Sequence, residues 1–225
     1  LYGDFGNILT LKNRCEWRGI SVEIDEINIG DTIKSHDLYF IGGGQDKQQQ
    51  DVAGELFKNK EFLTQERDNG AVFLGICGGY QLFGHYYQPF DGPKLHGISL
   101  IDAYTVAGKK RFIGNVTVET NFLYPKTLVG FENHSGLTYI QGDTVPLGQV
   151  VVGNGNNGQD KTAGGRFKNV FGTYLHGSLL PKNPHFADYL IELALEHRYG
   201  KEIKLSKLND TIENTTHNSL VGKAY

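Results

Sequence analysis

A chain of 225 residues, 39% of them hydrophobic, can bury a sizeable core, which suits one large α/β unit or a domain with an appendage. The formal net charge is −3, the sequence pI is near 6.3, and Lys and Arg are scattered, which excludes the electrostatic footprint of a nucleic-acid or anionic-membrane binder. Two cysteines in dissimilar settings, with no CxxC or His/Cys ligand spacing, argue against a disulfide framework and against a metal site. The compartment should be reducing. No apolar run approaches bilayer-spanning length and no signal-peptide pattern opens the chain, so a cytoplasmic protein without membrane insertion is expected. Because the chain begins at Leu1 and holds no methionine, we expect the natural start, and an N-terminal strand with it, to lie upstream.

In chain order, a helix near Asn7 to Arg18 comes first, with Cys15 at helical spacing from Ile8 and Leu11 and hence core filler. Apolar stretches at Ser21 to Ile27 and Asp37 to Ile41 follow as strand candidates. The polar-rich segment Gln45 to Asn69 carries Ala53, Leu56, Phe57, Phe62 and Leu63 in helical register, and Ala71 to Ile76 is the next strand. Strands separated by helices imply right-handed crossovers and a parallel sheet, whose ligands sit beyond the carboxyl ends of the strands. From Ile98 the chain turns β-rich: Leu100 to Val106, Phe112 to Thr120, Leu128 to Glu132, Gly148 to Gly153 and Lys168 to Leu175, with turn signals such as Asn154 to Gly158 between them. The last helix opens at Asn183-Pro184 and stops at Gly200. We therefore divide the chain into a domain over residues 1–200 and a polar tail over 201–225, mobile or partner-facing.

Cys77 is the first candidate for chemistry. The apolar run Ala71 to Ile76 ends at Cys77-Gly78-Gly79 and then turns helical, a strand-to-helix elbow in which flanking glycines permit a sharp turn. The following helix directs free N–H groups and its positive dipole end at the sulfur, favouring thiolate. A cysteine nucleophile needs a base, and His176, at the end of the strand Asn169 to Leu175, is preferred to His134, which also follows a strand. The triglycine Gly42-Gly43-Gly44 directly follows Leu38 to Ile41. Its backbone N–H groups near Gly44, with that of Gly78, can form an oxyanion hole. No GxxxxGK[ST] occurs, so ATP chemistry falls to another protein.

These motifs resemble a known family. Gly75-Ile76-Cys77-Gly78-Gly79-Tyr80-Gln81 is similar to the G-x-C-x-G-x-Q elbow of class I, triad-type glutamine amidotransferases, and Thr173 to Gly177 (TYLHG) resembles the base motif of their cobyric-acid-synthase-like branch. Leu1 to Asn7 (LYGDFGN), Ile41 to Asp46 (IGGGQD), Phe131 to Gly136 (FENHSG) and Gly153 to Asn157 (GNGNN) together resemble the GatD family, the glutaminase subunits of lipid II isoglutaminyl synthase in Gram-positive bacteria. The resemblance spans Leu1 to about Gly200. It implies a flavodoxin-like α/β domain with a largely parallel central sheet flanked by helices and a β-rich extension.

The same resemblance implies the roles. Cys77 attacks the side-chain amide of L-glutamine, His176 shuttles the proton to ammonia, and N–H groups near Gly44 and Gly78 hold the oxyanion. Gln81 shapes the pocket, and Arg111 matches the arginine with which the family binds its substrate. No cofactor is implied in this chain; ATP and Mg²⁺ belong to a Mur-ligase-like partner, MurT in this family, which takes the ammonia to amidate the D-isoglutamate of lipid II. A docking surface for that partner is expected at the cleft mouth, using the loop Asn154 to Gly158 or the C-terminal tail. One departure stands out: triad enzymes carry glutamate two residues after the histidine, and here that position is Ser178. The missing orienter leads us to expect a carboxylate from the partner. The alternatives are a stand-alone cysteine amidase or peptidase of the DJ-1 and PfpI group, and a regulatory module whose thiol is idle.

Overall fold

The structure, a computed structural model, describes residues 4–44 and 46–224. Helix α1 (Phe5–Glu16) precedes strand β1 (Leu38–Ile41); α2 (Asp46–Lys58) and α3 (Lys60–Asp68) lead to β2 (Val72–Ile76), and α4 (Gly78–Phe83) leaves it at once. Then come β3 (Tyr86–Gln88), β4 (Leu95–His96), β5 (Ala103–Glu119), β6 (Thr127–Ile140), β7 (Gly148–Val152), β8 (Thr162–Ala163), β9 (Gly165–Phe167) and β10 (Val170–Thr173). A 3₁₀ turn (Leu180–Lys182), α5 (Pro184–Tyr199) and α6 (Thr211–Leu220) complete the chain.

One sheet has the order β1-β2-β10-β9, parallel across its first three strands and antiparallel at β9. Every residue of β2 is buried, as a central parallel strand covered on both faces requires. Its period-two alternation feeds two cores. Val72, Leu74 and Ile76 join Phe186, Ala187 and Leu190 of α5 on one face, while Phe73 joins Ala53 and Leu56 of α2 and Leu63 of α3 on the other. Each of the larger of these side chains, Val, Leu, Ile and Phe, contributes roughly 1.5–3 kcal/mol when fully buried. The second sheet runs β4-β3-β5-β7-β8, with β6 paired to β5, and forms the β-rich extension. The α/β fold expected from alternation and resemblance is thus present.

Three segments differ from the sequence-based expectation. Ser21 to Ile27 joins no ladder among the described residues, and Ile24 and Ile27 are exposed. Its acidic residues alternate with the apolar ones, but no sheet edge is offered to it. Leu100 to Val106 and Phe112 to Thr120 are largely one strand, β5, because Lys109, Lys110 and Arg111 sit exposed in a register shift between Ala107 and Phe112 and interrupt the pattern without ending the strand. The polar stretch after Gly200 contains α6, which is held by polar contacts that hydrophobic periodicity does not report: Asp210 accepts from Arg14, and His217 is buried. No described helix is long and apolar enough to cross a membrane.

Candidate active site

Parallel register aligns three strand ends. Ile41 lies beside Gly75 and Ile76 beside Thr173, so the loops after β1, β2 and β10 open onto one crevice at the carboxyl ends. Cys77 begins the middle loop. Its backbone is held at φ 52°, ψ −105°, a region that costs an ordinary residue roughly 1–3 kcal/mol. Two hydrogen bonds hold it there: its N–H donates to Thr173 O (2.8 Å), and its carbonyl accepts from Gln81 N (3.0 Å). The motif glycines have packing reasons. A Cβ on Gly75 would meet the Phe83 ring at 2.6 Å, and one on Gly79 would meet the Ile41 carbonyl carbon at 2.8 Å, so only glycine lets α4 lie this close to β1 and β2.

His176 follows β10 and is fixed by a backbone pair with Phe131 of β6: its N–H donates at 2.8 Å and its carbonyl accepts at 3.2 Å. A methyl carbon built on Gly43 would lie 3.4 Å from His176 Cε1, 3.5 Å from Cys77 Cβ and 3.5 Å from Asp4 Oδ2. Three side chains from distant parts of the sequence therefore converge on the triglycine loop. Burial of the His176 ring opposes its charge, but the nearby Asp4 carboxylate and the Cys77 sulfur outweigh it and raise the pKa from 6.5 to about 9. The imidazolium is the favoured form at neutral pH.

Gly44, Gly78 and Gln81 lie close to the Cys77 turn. A Cβ on Gly78 would stand 3.4 Å from Gly44 N, so the two backbone segments read as oxyanion donors are neighbours. Gln81 is buried, its Oε1 accepting from Gln49 Nε2 (2.8 Å) and its Nε2 donating to the Tyr174 hydroxyl (3.1 Å). It ties α4 to α2 and to the segment after β10. Arg111 donates through Nε to Asn133 Oδ1 (2.7 Å). Arg111 is exposed in the β5 register shift, and Asn133 pairs with Ile113 of β5, so this contact stays within the β5–β6 hairpin.

His134 is placed differently. Its ring stacks flat on Tyr174 (centroids 3.6 Å, 1°), Nδ1 donates to Gly136 O (2.9 Å), and Nε2 lies 3.9 Å from Glu132. It is a buried brace. Glu132 in turn accepts from Asn154 N (2.9 Å) and Gly155 N (3.0 Å). Burial alone would raise the carboxyl pKa of Glu132, but the His134 ring and these donors outweigh it and lower it. Within this loop Gly155, Asn156 and Asn157 are buried, Asn154 is half-buried and Gly158 is exposed. Cys15 is buried and its thiol is pushed up to about 11 by burial, in keeping with core filler. Among the described residues no cluster suited to a metal occurs.

Asp4 was not singled out from sequence. It lies 2% exposed just before α1, its Oδ2 accepts the Gly43 N–H (2.7 Å), and its Oδ1 is 3.9 Å from His176 Nδ1. The one available signal was its place in LYGDFGN, the segment quoted for the resemblance; nothing in its spacing links it to His176.

Residues 2–184 match the CobB/CobQ-like glutamine amidotransferase domain. The chain is 41% identical over 214 residues to the lipid II isoglutaminyl synthase (glutamine-hydrolyzing) subunit GatD of Streptococcus pneumoniae, covering 94% of this chain and 82% of that one. It is 41% identical over 226 residues to the subunit of the same name from Staphylococcus aureus, covering 100% and 91%. A glutamine amidotransferase of Thermotoga maritima superposes with a TM-score of 0.53 at 14% identity, covering 94% of this chain and 86% of that one, a likeness of fold alone. The motifs quoted from the sequence, the crevice at the strand ends and these relatives agree: the chain belongs to the CobB/CobQ-like glutamine amidotransferases, among the GatD subunits.

Proposed function

We propose that this chain hydrolyses L-glutamine at Cys77 and supplies the ammonia to a Mur-ligase-like synthetase subunit of the MurT type, which amidates the D-isoglutamate of lipid II in the cytoplasm. The observation that carries the reading is the meeting of a strained cysteine elbow and an imidazolium-favouring histidine at one crevice, in a chain 41% identical to GatD subunits. Cys77 as thiolate attacks the glutamine carboxamide carbon, and the resulting oxyanion is held by N–H groups near Gly44 and Gly78. His176 gives its proton to the leaving nitrogen, so the C–N bond breaks to release ammonia and leave a thioester. Water, deprotonated by His176, then attacks the thioester, releasing glutamate and restoring the thiolate. Arg111 binds the α-carboxylate of glutamine, while Gln81 holds the pocket wall.

ATP and Mg²⁺ serve the partner, which activates the acceptor carboxylate. The test is co-purification with a candidate synthetase subunit, followed by mass measurement of lipid II after incubation with glutamine, ATP and Mg²⁺. A one-mass-unit decrease per amidated carboxyl is expected. Glutaminase activity without any amidated product would refute the acceptor, and labelling of a residue other than Cys77 by 6-diazo-5-oxonorleucine would refute the nucleophile.

A further inference from the structure

Gln49 lies in the first turns of α2, soon after the triglycine loop, and is 5% exposed, while Gln50 beside it faces solvent. A carboxamide taken out of water needs partners for its hydrogens. Gln49 Nε2 donates to Gln81 Oε1 (2.8 Å) and faces Gly78 O at 3.5 Å. The second contact fixes which way the amide points, since a carboxamide oxygen in that place would oppose the Gly78 carbonyl.

Gln81 is thereby held at both ends. Its Nε2 donates to the Tyr174 hydroxyl, which lies 2.6 Å from that of Thr138, and Thr138 lies 2.8 Å from the Thr105 hydroxyl. Because Tyr174 accepts from Gln81, its single hydrogen goes to Thr138, and that of Thr138 goes to Thr105. All of these residues are buried, so the donors run one way from α2 through α4 into the extension, and Gln49 sets the direction.

The Gln49 carboxamide also fills space. A Cβ on Gly78 would lie 3.5 Å from Gln49 Cδ, 3.5 Å from Gln49 Nε2 and 3.4 Å from Gly44 N. Gln49 thus packs against Gly78 on the side where Gly44 approaches. The Gln81 backbone N–H, bound to the Cys77 carbonyl, fixes the plane of the Cys77–Gly78 peptide and with it the direction of the Gly78 N–H.

We infer that Gln49 is a positioning residue for glutamine hydrolysis: its carboxamide locks Gln81 and wedges against Gly78 beside Gly44, so that the loops after β1 and β2 present their N–H groups to the same oxyanion. The inference rests on the Cys77 and oxyanion reading above.

Gln49→Met tests it, because methionine keeps the length of the side chain and loses its donated hydrogens. Alkylation by iodoacetamide forms the S–C bond and expels iodide with no oxyanion to hold, whereas glutamine turnover needs one. In the full chain we expect glutaminase kcat to fall on the order of 10²-fold, as misplacement by about 1 Å costs, with KM changed less than about threefold. Alkylation of Cys77, followed by peptide mass, should stay within about threefold of the wild-type rate. Gln49→Asn, which keeps a carboxamide but is one methylene too short, should give the same split. A wild-type kcat in a folded variant, or a fall in alkylation equal to that in kcat, overturns the inference. Undiminished glutaminase in Cys77→Ala would instead remove the underlying reading and the inference with it, an outcome read on a different variant.

Discussion

Cys77 sits in a conformation that its side chain alone would avoid, and the residues around it explain how it is kept there. Gly79 is the sharpest case, since its missing side chain is the clearance between α4 and the Ile41 carbonyl. Replacing it with alanine should force the elbow away from β1, costing about 1–3 kcal/mol in a denaturant titration. Labelling of Cys77 should fall further than stability does. Gly54 gives the opposite result from the same substitution. It lies exposed within α2 with nothing near a built Cβ, so Gly54→Ala should stabilise by about 0.5–1 kcal/mol and leave labelling unchanged. Equal losses at both positions would show that helix propensity, not clearance, governs the elbow. At this scale the strand-to-helix elbow at Cys77 was readable because its signal is local: an apolar run, a cysteine and glycines in one stretch. Asp4 was unreadable because its meaning comes from α1 docking beside a loop more than a hundred and fifty positions away, and no local pattern encodes that contact.

Helix α6 shows the same limit for an entire element. The parallel strands and α5 were readable because they bury apolar stripes, whereas α6 is anchored by polar groups. His217 donates through Nδ1 to Lys182 O (2.9 Å) and accepts from the Thr127 hydroxyl (2.8 Å), and His185 of α5 donates to Thr127 O (3.0 Å). The two rings meet edge to face with centroids 5.3 Å apart. Burial, then the neighbouring His217, pushes the His185 pKa from 6.5 down to about 4, against the opposing pull of the Thr127 carbonyl and Asp188. Arg14 adds to the depression. A depressed imidazole favours the neutral form in the folded chain, so its contribution is complete above about pH 6.5 and is lost as pH falls towards 4. The guanidinium midpoint should therefore decline over that window more steeply in the wild type than in His185→Gln, which keeps a donor for Thr127 without titrating. Parallel declines in the two proteins would remove His185 as the cause.

The whole molecule joins two sheets at the place where chemistry is proposed. The Phe131 and His176 backbone pair is an isolated bridge from the long β5–β6 hairpin to the end of β10, so the extension holds His176, the proposed base, while the parallel sheet holds Cys77, the proposed nucleophile. Alternating elements made the parallel sheet readable and strand-rich composition made the extension readable, but their junction depends on a two-residue contact that no periodicity reports. The curated relatives are named as subunits of a glutamine-hydrolyzing synthase, and under the proposed function glutamine hydrolysis and the energy-requiring step lie on different chains. If so, disabling Cys77 should not disable the partner. In a reconstituted complex, Cys77→Ala should abolish glutamine-dependent amidation while ammonium at high concentration and mildly alkaline pH, where more of it is free ammonia, restores product. Loss of both activities, with the complex intact by size-exclusion chromatography, would mean that Cys77 acts in the amidation step itself.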